Sequence, residues 1–230
     1  HWYRDNSYYE LHWRGHWANE CGGALLNHGW HLLDQSLFIV DKSVRSVSAK
    51  MGAFFHTPLM EKARHGVPTE DTIVAVIEFA DGTLGEVTAG VTLHAQRAQI
   101  EVFGEKAAMQ LIPFDVESQD VDYGAELRTW AAEHVRSQPE EWTPPQAERD
   151  TIDGVRQYRD PTWTHTAQVR DFLDAVVDDH ETISSGEDAR ATQEVILAAY
   201  KSAIIGETVK LPIATDDPFY QGVDAALAAH

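Results

Sequence analysis

Apolar residues cover most sides of one predicted helix near the start of the chain: Leu25, Leu26, Leu32, Leu33 and Leu37. On a helix of about 3.6 residues per turn, Asn27, His31 and Asp34 fall at i, i+4 and i+7 and share one narrow face. A helix that is apolar on most sides is normally buried, so a polar stripe on it needs a reason. One interpretation is a site for proton chemistry. The alternative is a buried helix in which His31 and Asp34 satisfy each other.

The middle of the chain alternates with the period of two that is typical of strands. Strands are predicted over residues 44–55, 73–79, 83–94, 99–103 and 107–112. Asp81-Gly82 separates the second and third of these and permits the positive φ angles of a type I′ hairpin turn. We therefore expect the last four strands to be antiparallel neighbours in a meander, with one face against helices.

Two amphipathic helices are predicted towards the C-terminus. The first has the three-and-four spacing of a buried apolar stripe: Val169, Phe172, Leu173, Val176 and Val177. The second runs from about Thr192 to Ile204, with Ser185 as its N-cap and Gly206 at its C-terminal end. Charge and proline over 113–160 predict loops with edge strands, and residues 211–230 predict a short strand or an extended arm.

The balance of charge narrows the classes of partner. The chain has 18 Lys and Arg against 37 Asp and Glu, a formal net charge of −19. Such a surface repels phosphate backbones and anionic lipid, which argues against nucleic-acid and membrane partners. The single Cys21 cannot form an intrachain disulfide, and no apolar run approaches the ~20 residues that span a bilayer. We therefore expect a cytoplasmic protein.

The first residues look like the interior of a longer polypeptide, because the chain opens His1-Trp2-Tyr3-Arg4 without a methionine. Residues 2–21 interleave aromatic rings with arginine and histidine. Rings with interspersed hydrogen-bond donors can line a pocket for a polar, ring-shaped ligand. They can equally pack under a loop or against a partner domain, and both interpretations stay open here.

The chemistry that the motifs support is narrow. The glycines at 22, 23 and 29 lack the G-x-G-x-x-G spacing of a dinucleotide-binding turn. His12 and His16 are i, i+4, but the Trp13-Arg14-Gly15 segment between them argues against a helix, and we predict no metal site. His31 is the best acid–base candidate, since histidine exchanges protons near neutral pH. Asn27 can hydrogen-bond a substrate oxygen or fix the imidazole tautomer.

An ordered set of motifs resembles the C-terminal domain of the glucose–fructose oxidoreductase/inositol dehydrogenase (Gfo/Idh/MocA) family. The signature is WRGHW at 13–17 followed by ECGGALLNHGWHLLD at 20–34. EDT at 70–72 resembles the entry to the paired strands, and VFGEK at 102–106 resembles a conserved turn of the family. Residues 165–168 and 185–189 resemble the openings of its last two helices, so the resemblance runs from about residue 2 to residue 212.

The resemblance implies an α+β fold with a large open, mainly antiparallel β-sheet and helices on one face. It implies a substrate-binding and oligomerisation domain over residues 1–213, a C-terminal tail over 214–230, and homo-oligomers formed through the sheet. In the family, an N-terminal Rossmann domain binds NAD or NADP. No such domain is present in this chain, and we expect the chain alone to be inactive.

The resemblance also implies roles for individual residues. His31 matches the family's catalytic histidine, and Asn27 stands where many members have aspartate, so hydrogen bonding to substrate survives there. Arg14, Trp17 and His165 match positions that line the substrate pocket. The implied activity is NAD(P)-dependent hydride transfer on a sugar, inositol or related polyol. The alternative is a non-catalytic carbohydrate-binding or dimerisation module of the same fold.

Overall fold

A computed structural model describes residues 1–54, 69–92, 98–105, 107–112, 126–131, 163–182 and 184–229. They form two compact units, one made of residues 1–96 and 186–230 and the other of residues 97–185. The described α-helices are α1 (Trp17–Glu20), α2 (Trp30–Val40), α3 (Trp163–Asp178), α4 (Gly186–Ile205) and α5 (Val223–Ala229). Short 3₁₀ helices occupy Asn6–Glu10 and Pro218–Gln221, and a π-helical turn at Leu25–Gly29 continues into α2.

The described strands are β1 (Val44–Gly52), β2 (Thr72–Phe79), β3 (Leu84–Gly90), β4 (Ile100–Phe103), β5 (Ala107–Ile112), β6 (Glu126–Ala131) and β7 (Val209–Lys210). Four of these strands form an antiparallel sheet in the first unit, in the order β3-β2-β1-β7. Val47 lies opposite Ile77, and Ala75 lies between Ala49 and Val87, so these side chains share one face. That face packs against helices α2 and α4, as alternation with a period of two requires. The expected α+β class is confirmed.

The second unit contains a separate three-stranded antiparallel sheet in the order β4-β5-β6. The expected single meander is therefore wrong in one respect: β3 and β4 lie in different sheets of the described structure. A tight turn fixes pairing only within its own hairpin, and no local chemistry in the longer connection from β3 specifies where β4 pairs. Strand β6 falls in the 113–160 region and forms an edge, as expected there.

The hairpin between β2 and β3 is present, but its turn differs from the expected type I′. Gly82 has φ of +87°, whereas Asp81 is not among the residues with positive φ. The N–H of Gly82 donates to the Phe79 carbonyl, and the N–H of Phe79 donates to the Thr83 carbonyl. The connection therefore spans four residues and uses left-handed backbone only at the glycine.

Helix α4 forms as predicted. Its buried residues are Thr192, Val195, Ile196, Ala198, Ala199, Tyr200 and Ser202. Gly206 follows it with φ of +77°, and its N–H donates to the Ser202 carbonyl at 2.8 Å. This left-handed end closes the helix without the steric cost that a Cβ would add.

Helix α3 has the predicted apolar stripe, but the stripe is not buried. Its five apolar residues, Val169, Phe172, Leu173, Val176 and Val177, are 54% to 80% exposed, whereas Ala175 is buried. Periodicity predicts that a helix has an apolar face, and it does not say what covers that face. The expectation of a buried stripe was wrong for the part of the chain that the structure describes.

The extended arm expected at the C-terminus is wrong as well. Residues 218–221 and 223–229 are helical, and Phe219, Val223 and Ala226 are buried in the core of the first unit. Asp217 accepts a hydrogen bond from the Phe219 N–H and begins this segment. The last residues therefore complete the core and do not form a free tail.

The π-helical turn and α2 form one continuous helix, which carries Asn27 and His31 and is called the site helix below. Its N-terminus is capped by Glu70, a residue distant in sequence. A helix start leaves its first four N–H groups without partners within the helix. Glu70 accepts three of them: its carboxylate accepts from Gly23 at 2.9 Å and from Leu25 at 2.9 Å, and its carbonyl accepts from Ala24 at 3.1 Å. The Tyr200 hydroxyl accepts from the N–H of Leu26 at 3.1 Å and donates to Glu70 at 3.0 Å.

Gly22 and Gly23 make this cap possible because other atoms occupy the space of a side chain. A Cβ on Gly22 would lie 2.5 Å from the Tyr200 hydroxyl, and one on Gly23 would lie 1.8 Å from the Glu70 carbonyl oxygen. Both distances are far below van der Waals contact. The two glycines therefore allow a close approach of other protein atoms.

Burial raises the pKa of Glu70 to about 7, although the hydrogen bonds from Leu25 and Tyr200 act in the opposite direction. All three side-chain contacts are donors to Glu70, which is the pattern that suits an ionised carboxylate. Burial also raises the pKa of Tyr200 well above its ordinary value, so this phenol stays protonated and donates.

Gly23→Ala should lower the free energy of unfolding by at least about 2 kcal/mol, because the new Cβ displaces the Glu70 carbonyl from the helix start. Gly186→Ala is the matched control, since a Cβ there meets nothing within 4 Å. We expect it to leave stability unchanged or to raise it by up to about 1 kcal/mol. Urea denaturation of both variants measures the difference, and equal stabilities would contradict the packing argument.

The raised pKa of Glu70 predicts a pH-dependent stability. In the folded protein this pKa is about 7, above the ordinary value of 4.5, so the folded state binds more protons between these values. The contribution to stability is therefore greatest below the lower value and falls as pH rises towards the higher one, by at most about 1.4 kcal/mol per pH unit. Glu70→Gln should remove this slope, and Glu207→Gln, at an exposed position after α4, should retain it. Denaturation curves from pH 4 to pH 9 test this; an unchanged slope in Glu70→Gln would refute it.

Candidate active site

The helix that carries the predicted site residues starts with a π-helical turn. The N–H of Trp30 donates to the carbonyl of Leu25, five residues earlier, where an α-helix would join residues four apart. The wider turn changes the angular position of everything after it, so Asn27 and His31 do not have the simple i, i+4 relation assumed from the sequence. Single π-turns of this kind occur often at functional sites.

Asn27 is fully engaged by the protein. Its amide nitrogen donates to Glu20 Oε1 and to the carbonyls of Gly22 and Gly23, each at 3.0 Å. Its amide oxygen accepts from Arg14 Nη1 at 3.2 Å. Because both halves of the amide have protein partners, Asn27 holds the glycine turn in place and makes no described contact with His31.

Glu20 joins these groups into one buried network. Its Oε1 lies 2.6 Å from Arg14 Nη1, and its Oε2 accepts from the Gly15 N–H at 2.5 Å. The Glu20 side chain is 2% exposed and that of Arg14 is 15% exposed, so the pair is shielded from water. Removing one member of such a pair strands the charge of the other, which is why buried pairs are costly to break.

His31 is exposed, and no described residue hydrogen-bonds to its ring. Asp34, expected beside it, instead accepts a hydrogen bond at 2.6 Å from the Thr192 hydroxyl on α4. The alternative interpretation, a buried helix in which His31 and Asp34 satisfy each other, is therefore wrong. The imidazole is left open to a ligand, and Asp34 fixes the helix against its neighbour.

Two of the residues expected in the substrate pocket have different placements. Trp17 is 4% exposed and lies in the core, edge-on to the ring of Tyr200 with 5.0 Å between ring centres. It therefore supports the capping tyrosine and does not line an open pocket. His165 lies on α3 in the second unit, and its side chain is outside the described residues.

Arg14 belongs to a second group near the chain start, which we call the cation–aromatic cluster: Trp2, Arg4, Tyr8, Trp13 and Arg14. The Arg14 guanidinium lies 4.1 Å from the Tyr8 ring centre and 3.8 Å from that of Trp13. The Arg4 guanidinium lies 5.2 Å from the Tyr8 ring centre. All are within cation–π range, so the rings orient both cations. The arrangement has features of both interpretations of the aromatic segment. The rings pack together, as in packing under a loop, and hydrogen-bond donors lie among them, as in a ligand pocket.

The cluster meets the site helix at His28. The imidazole centre lies 5.5 Å from that of Trp2 and 6.2 Å from that of Tyr8. Burial, together with the charges of Arg4 and Arg14, lowers the pKa of His28 to about 3. This histidine is therefore neutral at physiological pH.

Other classes of site are limited by what the structure describes. Within the described ranges, no three His, Cys, Asp or Glu side chains are grouped to hold a metal ion. Among the same residues no helix is both long enough and apolar enough to cross a membrane. The helix start at Gly23 offers no cradle for a cofactor phosphate, because its N–H groups already bind Glu70 and Tyr200. The arrangement can bind a polar ligand and exchange one proton at His31.

Three residues of this region were not found from the sequence as functional: Glu20, Glu70 and Tyr200. Their partners are separated from them by 5 to 7, by 45 to 47 and by 130 or 174 residues. The EDT motif at 70–72 marked the position of Glu70 but not its role. No spacing rule connects a strand entry to a helix start so far away.

Residues 1–110 match the family model described as the GFO/IDH/MocA C-terminal domain. Among proteins of curated function, none matches the chain.

Solved structures extend the comparison to the fold of nearly the whole chain. The WlbA dehydrogenase from Bordetella pertussis, in complex with NADH and UDP-GlcNAcA, aligns with a TM-score of 0.67 at 21% identity, over 93% of this chain and 55% of its own. The aldose-aldose oxidoreductase from Caulobacter crescentus, complexed with glycerol, aligns with a TM-score of 0.64 at 22% identity, over 86% of this chain and 50% of its own.

The chain thus spans about half the length of these proteins, and identities at this level show a shared fold. The resemblance carried by the motifs is confirmed: residues 1–110 match the GFO/IDH/MocA C-terminal domain model, and nearly the whole chain shares its fold with these oxidoreductases.

Proposed function

We propose that this chain is the substrate-binding domain of an NAD(P)-dependent oxidoreductase that acts by hydride transfer on a sugar, inositol or related polyol. The observation that carries the proposal is His31, an exposed imidazole without a described partner on a helix anchored at its first four N–H groups. A rigid scaffold with one open acid–base group is what general acid–base catalysis needs.

The redox cofactor is proposed to be NAD or NADP, held by a domain outside this chain. Support comes from the NADH named in the Bordetella WlbA structure and from the family match. The sequence has no G-x-G-x-x-G turn for a dinucleotide. The space beside Gly22 and Gly23 is occupied by Tyr200 and Glu70. When bound by an N-terminal Rossmann domain, the nicotinamide would supply the hydride acceptor.

Within this chain, His31 is proposed to hold or release the proton of the substrate hydroxyl. Arg14 is proposed to approach the substrate from the cation–aromatic cluster, with its charge balanced by Glu20. Asn27, which the sequence assigned to catalysis, is proposed as a positioning residue, because its amide is already occupied by Glu20, Arg14 and the glycine turn. His165 stays a proposed pocket residue on the resemblance alone.

His31→Ala in the protein that includes its nicotinamide-binding domain should lower kcat by about 100-fold or more, as expected for loss of a general acid–base group. The His31 ring makes no described hydrogen bond, so the melting temperature of the His31→Ala variant should stay close to that of the wild type. Steady-state reduction of NAD⁺ or NADP⁺ with a panel of polyols and sugars measures the effect.

The control for this variant is His180→Ala, which removes an exposed histidine in the turn after α3, where its ring bonds only the Glu181 carbonyl. We expect His180→Ala to retain wild-type turnover. A His31→Ala variant that turns over at the wild-type rate would remove the proposed role.

A second candidate function, a non-catalytic carbohydrate-binding or dimerisation module, is favoured by the outer face of the first sheet. Val74 and Val76 on β2 are each 47% exposed, and Leu84 on β3 is 69% exposed. They lie on the face opposite the helices, since they alternate with the buried Ile73, Ala75 and Ile77. The same face also carries Glu78 and Glu86, so its apolar part is a patch around Val74, Val76 and Leu84. Exposed apolar patches can mark an interface between copies of a chain.

We propose that this face forms a homo-oligomer in either function. Val74→Asp with Val76→Asp should convert the oligomer to a monomer, because two facing sheets would each bury unpaired carboxylates. Phe38→Asp is the control, since Phe38 is an exposed apolar residue on α2, on the helical side of the sheet. Light scattering after size exclusion gives the mass; a wild-type monomer would contradict the proposed interface.

A further inference from the structure

Arg4 belongs to none of the described ion pairs, and the charge of the neighbouring Asp5 interacts with it only weakly through space. The described ion pairs involve Arg14, Lys42, Arg45, Arg190 and Lys201. The Arg4 guanidinium instead contacts the Tyr3 carbonyl at 3.3 Å and lies 5.2 Å from the centre of the Trp2 ring. The adjacent Asp5 accepts hydrogen bonds from Ser7 and Tyr8 and caps the first 3₁₀ helix.

Tyr8 brings a second cation to the same place. Its ring lies 4.1 Å from the Arg14 guanidinium and 5.2 Å from that of Arg4. Glu20 neutralises Arg14 at 2.6 Å, so one positive charge of the cation–aromatic cluster remains. This charge stands out in a chain with a formal net charge of −19. A partly buried cation of this kind favours an anion from outside the chain.

His28 supplies a neutral group beside this charge. Its Nε2 is shielded from solvent and has no hydrogen-bond partner among the described residues. A buried ring nitrogen without a partner is costly, and such groups commonly satisfy a ligand. The rings of Trp2 and Tyr8 both lie near this imidazole and restrict the space in which it can turn. Depending on its tautomer, the neutral imidazole can donate a hydrogen bond to a ligand atom or accept one from it.

The position of His28 connects this group to the proposed chemistry. It precedes His31 by three residues on the continuous helical segment formed by Leu25–Gly29 and α2. A ligand held by Arg4 and His28 therefore binds one helical turn from the imidazole proposed to handle the substrate proton.

We propose that Arg4 and His28 form a subsite for an anionic group, a carboxylate or a phosphate, on the substrate; the inference rests on the proposed function and names its substrate class. The planar guanidinium matches both oxyanions with two parallel N–H donors. The hydroxyl groups of a neutral polyol could hydrogen-bond to both residues, but they would leave the charge of Arg4 unbalanced. The subsite therefore selects sugar acids or sugar phosphates over neutral sugars.

The test is equilibrium binding to the full-length protein by calorimetry, with D-glucuronate, glucose 6-phosphate and D-glucose as probes. We expect at least one of the two anions to bind at least about tenfold more tightly than glucose, and the preferred anion distinguishes a carboxylate from a phosphate ligand. Arg4→Gln should remove this preference. Arg4→Lys should keep part of it, because the charge remains while the two-donor geometry is lost.

The control is Arg45→Gln, which removes a guanidinium paired with Glu78 on the exposed sheet. It should leave the anion preference unchanged, and circular dichroism should show that all variants are folded. The inference is overturned when neither anion binds more tightly than glucose, or when Arg4→Gln and Arg4→Lys both retain the wild-type preference.

Binding and turnover separate this inference from the proposed function. Anion binding through Arg4 with no reduction of NAD⁺ or NADP⁺ on any sugar keeps the subsite and refutes the dehydrogenase. Oxidation of neutral polyols with kcat/KM equal to that of anionic ones, unaffected by Arg4→Gln, keeps the dehydrogenase and overturns the subsite.

Discussion

The carboxylate of Glu70 and the hydroxyl of Tyr200 decide where the site helix begins. Together with the backbone carbonyl of Glu70, they take up the four N–H groups that this helix would otherwise leave unsatisfied in a buried position. Glu70 precedes β2 and Tyr200 lies on α4, so the sheet and the packing helix both hold the helix start. His31 can therefore be exposed while the helix that carries it is fixed, because the restraint is applied five to eight residues earlier and needs no contact with the imidazole.

Local patterns predicted the elements well and their assembly less well. The periodicity of α4 and the hairpin at Asp81-Gly82 were confirmed because each depends on neighbours in sequence, although the turn is not of the expected type I′. The apolar stripe of α3 was expected to be buried, but its five residues are exposed in the described structure, since a pattern names a face and not its partner. The helical C-terminus was missed because its seven-residue α-helix is stabilised by Phe219 and Val223 in the core.

The same limit applies to the site. Asn27 and His31 were identified as important from a helical wheel that assumes a regular turn, and the π-turn at Leu25–Gly29 breaks that assumption. The Asn27 amide hydrogen-bonds to Glu20 and to the glycine turn, both of which precede the helix. Asp34 accepts a hydrogen bond from Thr192 on α4. Residue types therefore predicted that the region is polar and functional. The assignment of each side chain needed the contacts between distant segments.

The net charge of the whole chain is negative, whereas the charge of the cation–aromatic cluster is positive. The overall excess of acidic residues keeps other polyanions away from most of the surface. The cation–aromatic cluster reverses the sign locally, because its rings hold Arg4 and Arg14 together while only Arg14 has a carboxylate partner. A small anion gains from this local field over a few ångströms, whereas an extended polyanion would meet the acidic surroundings as well. The contrast favours a compact anionic ligand over a polymer.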